Sequence, residues 1–244
     1  MVKRAFVLAA FSLLTLHAAP VRADPPCPVP EGLGLGVLRL PAARHAIAID
    51  KRLAILTLGG AQTAGAEAGD QDATYPARLE AALRDSLPDA GVTVMTEATP
   101  NYLAAEMPAR IAKLLPETGA RLVIWAPGGG DVARRTDPVA FQRSLREGIA
   151  AAHASGADLI LIDVPFMPSP DRMARIEPYR RAILAAAGAA QVPVLRRHDL
   201  MRLWNEDRTL DLAARDGAER QGVARRLFAC IARALAVPIA AAVR

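Results

Sequence analysis

Apolar runs and amphipathic segments alternate along the chain from residue 40 onward. Five short runs rich in Leu, Ile and Val lack the polar–apolar alternation of half-exposed strands, which is typical of parallel strands buried on both faces: Leu53–Leu58, Val92–Met95, Leu122–Ala126, Leu159–Asp163 and Val192–Leu195. Helical spacing of apolar residues predicts helices at 40–52, Pro76–Ser86, Ala104–Leu115, Pro138–Ala154, Ile176–Ala187 and Gly222–Ala236. The alternation predicts an α/β fold with three layers, in which helices cover both faces of one doubly wound parallel sheet.

The first residues have the layout of a secretory signal. Lys3 and Arg4 precede an apolar stretch, Ala5–Leu16, that is too short to span a bilayer, and a small-x-small cleavage site ends at Ala23. The mature protein is therefore expected in the periplasm or outside the cell, without a later membrane span; an uncleaved anchor is the alternative. We divide the chain into a signal peptide (1–23), an N-terminal extension (24–49) and the α/β domain (50–244).

Composition and charge exclude several classes of function. The net charge is +5, and removal of the three basic residues of the signal leaves +2, while aromatic residues make up only 4%. A nucleic-acid partner is not expected, because neither a basic run nor a base-stacking platform is present. No glycine turn has the sequence of a nucleotide-binding loop, and no Cys/His cluster has metal-ligand spacing, so we expect neither a cofactor nor a metal.

The chain has two cysteines, Cys27 and Cys230. An even number of cysteines in an exported protein suggests a disulfide. The bond would close a loop of about 200 residues, which stabilises the fold by about 4–5 kcal/mol in the chain-entropy model. The alternative is a buried free Cys230 and an unpaired Cys27.

Ligands of doubly wound sheets bind at the carboxyl ends of the strands. Function is therefore sought in the segments that follow the predicted strands and in the loop before the last helix: Gly59–Gly65, Thr96–Tyr102, Pro127–Arg135, Val164–Asp171 and Asp216–Gln221.

Three of these segments resemble, in order, the sequence blocks of the SGNH (GDSL) hydrolases. The first predicted strand ends in Gly59-Gly60-Ala61, where the family has Gly-Asp-Ser. The third predicted strand runs into Gly128-Gly129-Gly130-Asp131, which resembles the family's Gly-x-Asn-Asp, and Asp216-Gly-Ala-Glu219 resembles its Asp-x-x-His. The resemblance covers about residues 50–237 and implies the flavodoxin-like SGNH hydrolase fold. A branch of exported members carries cysteines where Cys27 and Cys230 fall, which supports the disulfide.

The resemblance also shows where this sequence departs from the family. There, serine is the nucleophile, and its N–H, a block-two glycine N–H and an asparagine side chain form the oxyanion hole; histidine is the base, oriented by aspartate. Loss of the nucleophile alone costs on the order of 10⁶ in kcat. The serine, glycine, asparagine and histidine align with Ala61, Asn101, Gly130 and Glu219, and only Asp216 keeps its family identity.

The departures predict a catalytically inactive member of the family. It would bind an acylated carbohydrate or another envelope ester, or assist an active paralogue or an envelope acyltransferase. The backbone N–H groups of a glycine turn can hold an anion or a carbonyl oxygen without cleaving the ligand. The candidate binding positions are Gly59, Gly60, Gly128, Gly129 and Asp131, with Arg134 and Arg135 as a positive rim.

Two other interpretations stay open. One is an active hydrolase with rewired chemistry that uses Glu219, Asp216 or Thr63, although the two carboxylates also suit a solvated helix start. The other is a structural or partner-binding module. An open pocket beside Ala61 and Gly130 would favour ligand binding, and bulky side chains that close it would favour a structural role. The histidines of the mature chain, His45, His153 and His198, are interpreted as structural.

Overall fold

The structure, a computed structural model, describes residues 27–214 and 216–244, so the predicted signal peptide lies outside the described residues. Its five strands form one parallel sheet in the order β2-β1-β3-β4-β5. The strands are β1 (Arg52–Gly59), β2 (Gly91–Ala98), β3 (Leu122–Ala126), β4 (Asp158–Ile162) and β5 (Val194–Leu195). The predicted α/β fold with a doubly wound sheet is confirmed.

Helices cover both faces of the sheet. They are α1 (Pro41–Asp50), α2 (Tyr75–Ser86), α3 (Met107–Thr118), α4 (Gly129–Arg134), α5 (Pro138–Ala154), α6 (Pro170–Ala189), α7 (Arg197–Glu206) and α8 (Gly217–Val243). Successive residues of the central strands point to opposite faces, so that Leu122 and Ile124 join one apolar cluster while Val123 and Trp125 join the other. The first cluster packs against α1, α2, α7 and α8, and the second against α3, α5 and α6.

The structure corrects the predicted bounds of several elements. The polar start of α7 hides this helix from an apolar-pattern search, because Arg197, His198 and Asp199 are buried polar residues. The glycine turn after β3 continues into the short α4, and α6 and α8 begin earlier than predicted, at Pro170 and Gly217. The first turn of a helix accepts proline or a capping residue without any apolar periodicity, so the pattern alone places such starts too late.

The N-terminal segment 27–40 is tied to the last helices. Cys27 forms a disulfide with Cys230 of α8, which confirms the predicted bond. The indole N–H of Trp204 in α7 donates to the carbonyl oxygen of Pro28 at 2.7 Å, and Leu38 and Leu40 are buried in the core. We call residues 27–40 the N-terminal strap.

Helix α8 is long and apolar enough to cross a membrane by length and composition alone, which the sequence analysis did not anticipate. Most of its apolar stretch is buried inside the fold, against α2 and the N-terminal strap. Its apolar character is therefore explained by its place in the core.

The outer edge of the sheet is covered by side chains of α2. Glu80 accepts a hydrogen bond from the backbone N–H of Val94 at 2.6 Å, and Nε of Arg84 donates to the carbonyl oxygen of Val92 at 2.9 Å. The two side chains also form a salt bridge at 2.6 Å. This pair occupies hydrogen-bonding groups of β2 that a further strand would otherwise use.

Helix α5 approaches the sheet at a glycine. A Cβ atom added at Gly148 would lie 2.6 Å from the buried ring of Trp125 in β3, whereas one added at Gly188 in α6 would meet nothing within 4 Å. We expect Gly148→Ala to lower the free energy of unfolding by about 1–3 kcal/mol through overpacking.

Gly188→Ala is the matched control and is expected to raise the free energy of unfolding by about 0.5–1 kcal/mol, because alanine favours the helix. Urea unfolding of both variants checks the pair. Equal effects of the two substitutions would contradict this packing of α5.

Candidate functional site

The chain reverses its winding direction between β1 and β3, so their carboxyl ends form the usual ligand crevice of such a sheet. At this point Gly59 lies beside Ala98 on one side and Ala126 on the other. The remnant residues of the first and third blocks therefore meet as the resemblance implied. We call the space between Gly60, Tyr102 and Gly129 the notch.

The notch is closed. Its volume is only about 10 Å³, which is no more than a single water molecule needs. Gly130, at the position of the family's asparagine, packs directly against the peptide of Asn101 and Tyr102, and a Cβ added there would overlap the carbonyl oxygen of Tyr102. An asparagine cannot occupy this position unless the 99–104 segment moves.

Two sets of contacts hold the 99–104 segment in this place. Buried Asp131 accepts a hydrogen bond from the backbone N–H of Ala104 at 3.0 Å. Glu97 accepts hydrogen bonds from the hydroxyl of Tyr102 and from Arg110, both at 2.6 Å, and the guanidinium of Arg110 lies 4.1 Å above the Tyr102 ring. Asn101 itself is exposed.

The remaining candidate nucleophiles and bases do not form a catalytic group. Thr63 is buried, with its hydroxyl 3.2 Å from that of Tyr75, and its side chain packs on Gly59. Asp216 and Glu219 are exposed, and Asp216 caps α8 by accepting hydrogen bonds from the N–H groups of Ala218 and Glu219 at 2.9 and 3.1 Å.

The other predicted positions have ordinary surroundings. His45 and His153 are exposed on helices, as are Arg134 and Arg135 at the end of α4. Among residues 27–214 and 216–244, no group of three or more His, Cys, Asp or Glu side chains has the arrangement of a metal site.

A large groove opens next to the closed notch, at the same edge of the sheet. Its volume is about 720 Å³, within the range of small-molecule sites. It lies between the loop after β4 and the start of α8, and Gln62, the residue after Ala61, lines it. The apolar lining includes Phe166, Met167, Met201, Leu212, Val223, Leu227 and Phe228, and the polar lining includes Gln62, Glu67, Ser169, Arg172, Asp211 and Arg220.

Gln62 is held by a buried charge. The guanidinium of Arg197, which is only 4% exposed, donates to its side-chain oxygen at 3.0 Å. Burial is the main influence on Arg197 and lowers its pKa, while the carboxylate of Asp163 opposes this effect. Asp163, at the end of β4, in turn accepts a hydrogen bond from the backbone N–H of His198 at 2.8 Å and so caps the start of α7.

A second carboxylate completes the buried polar cluster. Asp199 forms salt bridges with Arg180 at 2.7 Å and with Arg196 at 2.8 Å. Burial alone would raise its pKa, but Arg180 and the other cationic and hydrogen-bonding neighbours lower it. Burial also lowers the pKa of His198 and so favours the neutral ring, whereas the hydrogen bond with Asp199 raises this pKa. The ring of His198 is buried in this cluster.

The comparison with protein families decides the relationship. The sequence profile of the non-GDSL lipase-like family matches residues 26–244, which include the N-terminal strap as well as the sheet. The chain belongs to the non-GDSL lipase-like family. A comparison with curated protein sequences gives no match.

Solved structures, among them an esterase, share the fold of this family member. It is similar to TesA, with 23% identity and a TM-score of 0.58 over 76% of this chain and 99% of TesA. It is also similar to a mutant of Axe2, an acetyl-xylooligosaccharide esterase from Geobacillus Stearmophilus, with 18% identity and a TM-score of 0.61 over 77% of this chain and 94% of Axe2. The hydrolase-like α/β fold is thus confirmed.

Sequence reasoning found the strand-end segments but missed the groove and the polar cluster. The groove unites parts of three predicted segments, those that contain Gln62, Phe166 and Arg220. No sequence pattern distinguishes the apolar residues of the groove, such as Phe166, because an apolar residue in a loop has no chemical signature. The sequence did contain an indication of the polar cluster. Asp163 ends the fourth predicted strand, and charged residues follow the fifth.

The closed notch makes a prediction about two adjacent glycines. We expect Gly130→Ala to lower the free energy of unfolding by about 2 kcal/mol or more, because the added methyl overlaps a backbone carbonyl that cannot rotate away. Gly129→Ala, with nothing within 4 Å of its Cβ, should change it by less than about 0.5 kcal/mol. Urea unfolding tests the pair, and a neutral Gly130→Ala would mean that the notch is open in solution.

Asp163 makes a prediction about pH. Burial raises its pKa from 3.8 to about 6, against the opposing His198 N–H and the charges of Arg197 and Arg180. The folded state therefore holds this proton more tightly than the unfolded state. The contribution of Asp163 to stability is fully present below about pH 4 and is lost as the pH rises through about 6.

Asp163→Asn keeps an acceptor for the His198 N–H and removes this titration. We expect the stability of the wild type, relative to the variant, to fall by about 2.4 kcal/mol between pH 4 and pH 7. Urea unfolding of both proteins across this range measures the difference. A difference that stays constant, or that rises with pH, would refute the assignment.

Proposed function

We propose that this family member is a non-catalytic binding protein, and that its groove holds an acylated carbohydrate without cleaving the ester. The observation that carries the proposal is the contrast between two neighbouring spaces. The notch beside Gly60 has a volume of about 10 Å³, whereas the groove beside Gln62 has about 720 Å³.

The state of the notch argues against ester hydrolysis. The methyl group of Ala61 cannot attack a carbonyl, and the carbonyl of Tyr102 packs against Gly130, where the family has a donor of the oxyanion hole. A carbonyl oxygen there would repel a developing oxyanion rather than stabilise it. Rewired catalysis by Thr63 has no support either, because its hydroxyl is buried against Tyr75.

The lining of the groove suits a ligand with an acyl chain and a sugar. Phe166, Leu227 and Phe228 offer an apolar floor for the chain. Sugar hydroxyls both donate and accept hydrogen bonds, and the rim provides partners of both kinds in Arg172 and Asp211. Axe2, which shares the fold, is an esterase of acetylated xylooligosaccharides, a related ligand class.

Binding is tested with 6-O-octanoylglucose, which joins an acyl chain to one sugar, by isothermal titration calorimetry. We expect binding to the wild type and a loss of affinity of about tenfold or more in Ala213→Trp, which fills the groove from an exposed loop position. Ala150→Trp, at an exposed position of α5, is the matched control and should bind like the wild type. Equal affinity of all three proteins, or no binding by the wild type, would overturn the proposal.

Turnover is tested with p-nitrophenyl acetate and butyrate. We expect no rate above buffer for the wild type, and none for Ala61→Ser, because the added hydroxyl has no histidine base at the aligned position, which is Glu219. Turnover by Ala61→Ser would show that the notch opens, and turnover by the wild type would show that the protein is an enzyme.

A further inference from the structure

The disulfide lies at the bottom of a small pocket on the surface of α8. The pocket has a volume of about 200 Å³ and is lined by both cysteines, by Thr209 and Leu210, and by Arg226, Ala229 and Arg233. Cys27 is partly exposed, whereas Cys230 is only 5% exposed. Of the two cysteines, Cys27 is therefore the more accessible to a small molecule.

Two arginines flank the buried sulfur. Arg226 and Arg233 lie four residues before and three residues after Cys230 on α8, so the three side chains share one face of the helix. Both arginines line the pocket. The pocket thus combines a disulfide with two cations.

We propose that this pocket is a thiol-exchange site that takes an anionic low-molecular-weight thiol, with Cys27 as the residue that becomes S-thiolated. The guanidinium groups attract the negative thiol and stabilise the thiolate that leaves. The inference does not depend on the function of the groove, which is lined by other residues of α8.

The exchange is a single displacement. The thiolate of the small molecule attacks the sulfur of Cys27, a bond forms between these two sulfurs, and the bond between Cys27 and Cys230 breaks. The electron pair of that bond stays on Cys230, whose thiolate lies between Arg226 and Arg233. The products are a mixed disulfide on Cys27 and one free thiolate, so no other oxidant or reductant is consumed.

The modification would act on the N-terminal strap. The disulfide is its covalent tie to α8, and the hydrogen bond from Trp204 to Pro28 would remain after exchange. The thiolated protein therefore keeps a strap that is held only by non-covalent contacts.

The test compares two small thiols of opposite charge, 2-mercaptoethanesulfonate and cysteamine, on the folded protein with its disulfide intact. The rate of adduct formation is followed by mass spectrometry of the Cys27 peptide after acid quenching. We expect the ratio of the anionic to the cationic rate constant to be roughly three- to tenfold higher in the wild type than in Arg226→Gln/Arg233→Gln. The intrinsic reactivities of the two thiols cancel in this comparison.

Arg143→Gln/Arg146→Gln, two exposed positions on α5, removes the same charge elsewhere and should leave the ratio unchanged. Salt provides an independent measurement on the wild type, in which the ratio should fall towards the variant's value at about 0.5 M NaCl. This measurement decides the matter should the double variant fail to fold. An unchanged ratio in the folded variant, a ratio insensitive to salt, an adduct on Cys230, or no adduct on the folded wild type would each overturn the proposal.

Discussion

A parallel sheet that is buried on both faces is the constraint on which the rest of this molecule depends. Its strands need helices on either side, and each return to the starting edge of the sheet runs through such a helix. All five carboxyl ends therefore face one edge of the sheet. The helical connections that follow β1 and β3 run to opposite sides. This separation leaves a crevice at Gly59 and Ala126 that does not depend on the identity of its side chains. The site thus follows from topology, and only its contents are left to individual side chains.

In this chain, backbone occupies the crevice. The crevice is filled by the peptide of Tyr102, which packs on Gly130 and is fixed by Asp131 and by the contacts of Glu97 with Arg110. These contacts make the region around Gly130 part of the packed interior. The adjoining groove has a volume of about 720 Å³, and the buried cluster around Arg197 supports one of its walls. The closed notch and the open groove are therefore separate features of the same sheet edge.

The sequence predicted the sheet well because strands such as Leu122–Ala126 are continuously apolar, and no other element explains such runs as economically. The resemblance, through its order and spacing, predicts a remnant site at Ala61, Gly130 and Asp216, and the role of these residues stays a prediction. It could not predict that the notch is closed, since that depends on a backbone carbonyl of Tyr102 and not on any side chain. The sequence pattern also did not predict helix α7. Its first turn is buried through ion pairs and hydrogen bonds, so it has no apolar periodicity in the sequence.

The contacts of Glu80 and Arg84 with the edge of β2 affect how early in folding this edge is protected from pairing with another chain. Glu80 and Arg84 precede their partners Val94 and Val92 by only 14 and 8 residues, whereas the disulfide joins residues 203 apart. Contacts between near neighbours in the chain close with the smallest loss of entropy, so the edge is sealed by a local hairpin of helix and strand. The exposed edge of β2 is thus covered by residues close to it in the chain, and this cover does not require the long-range contacts that complete the fold.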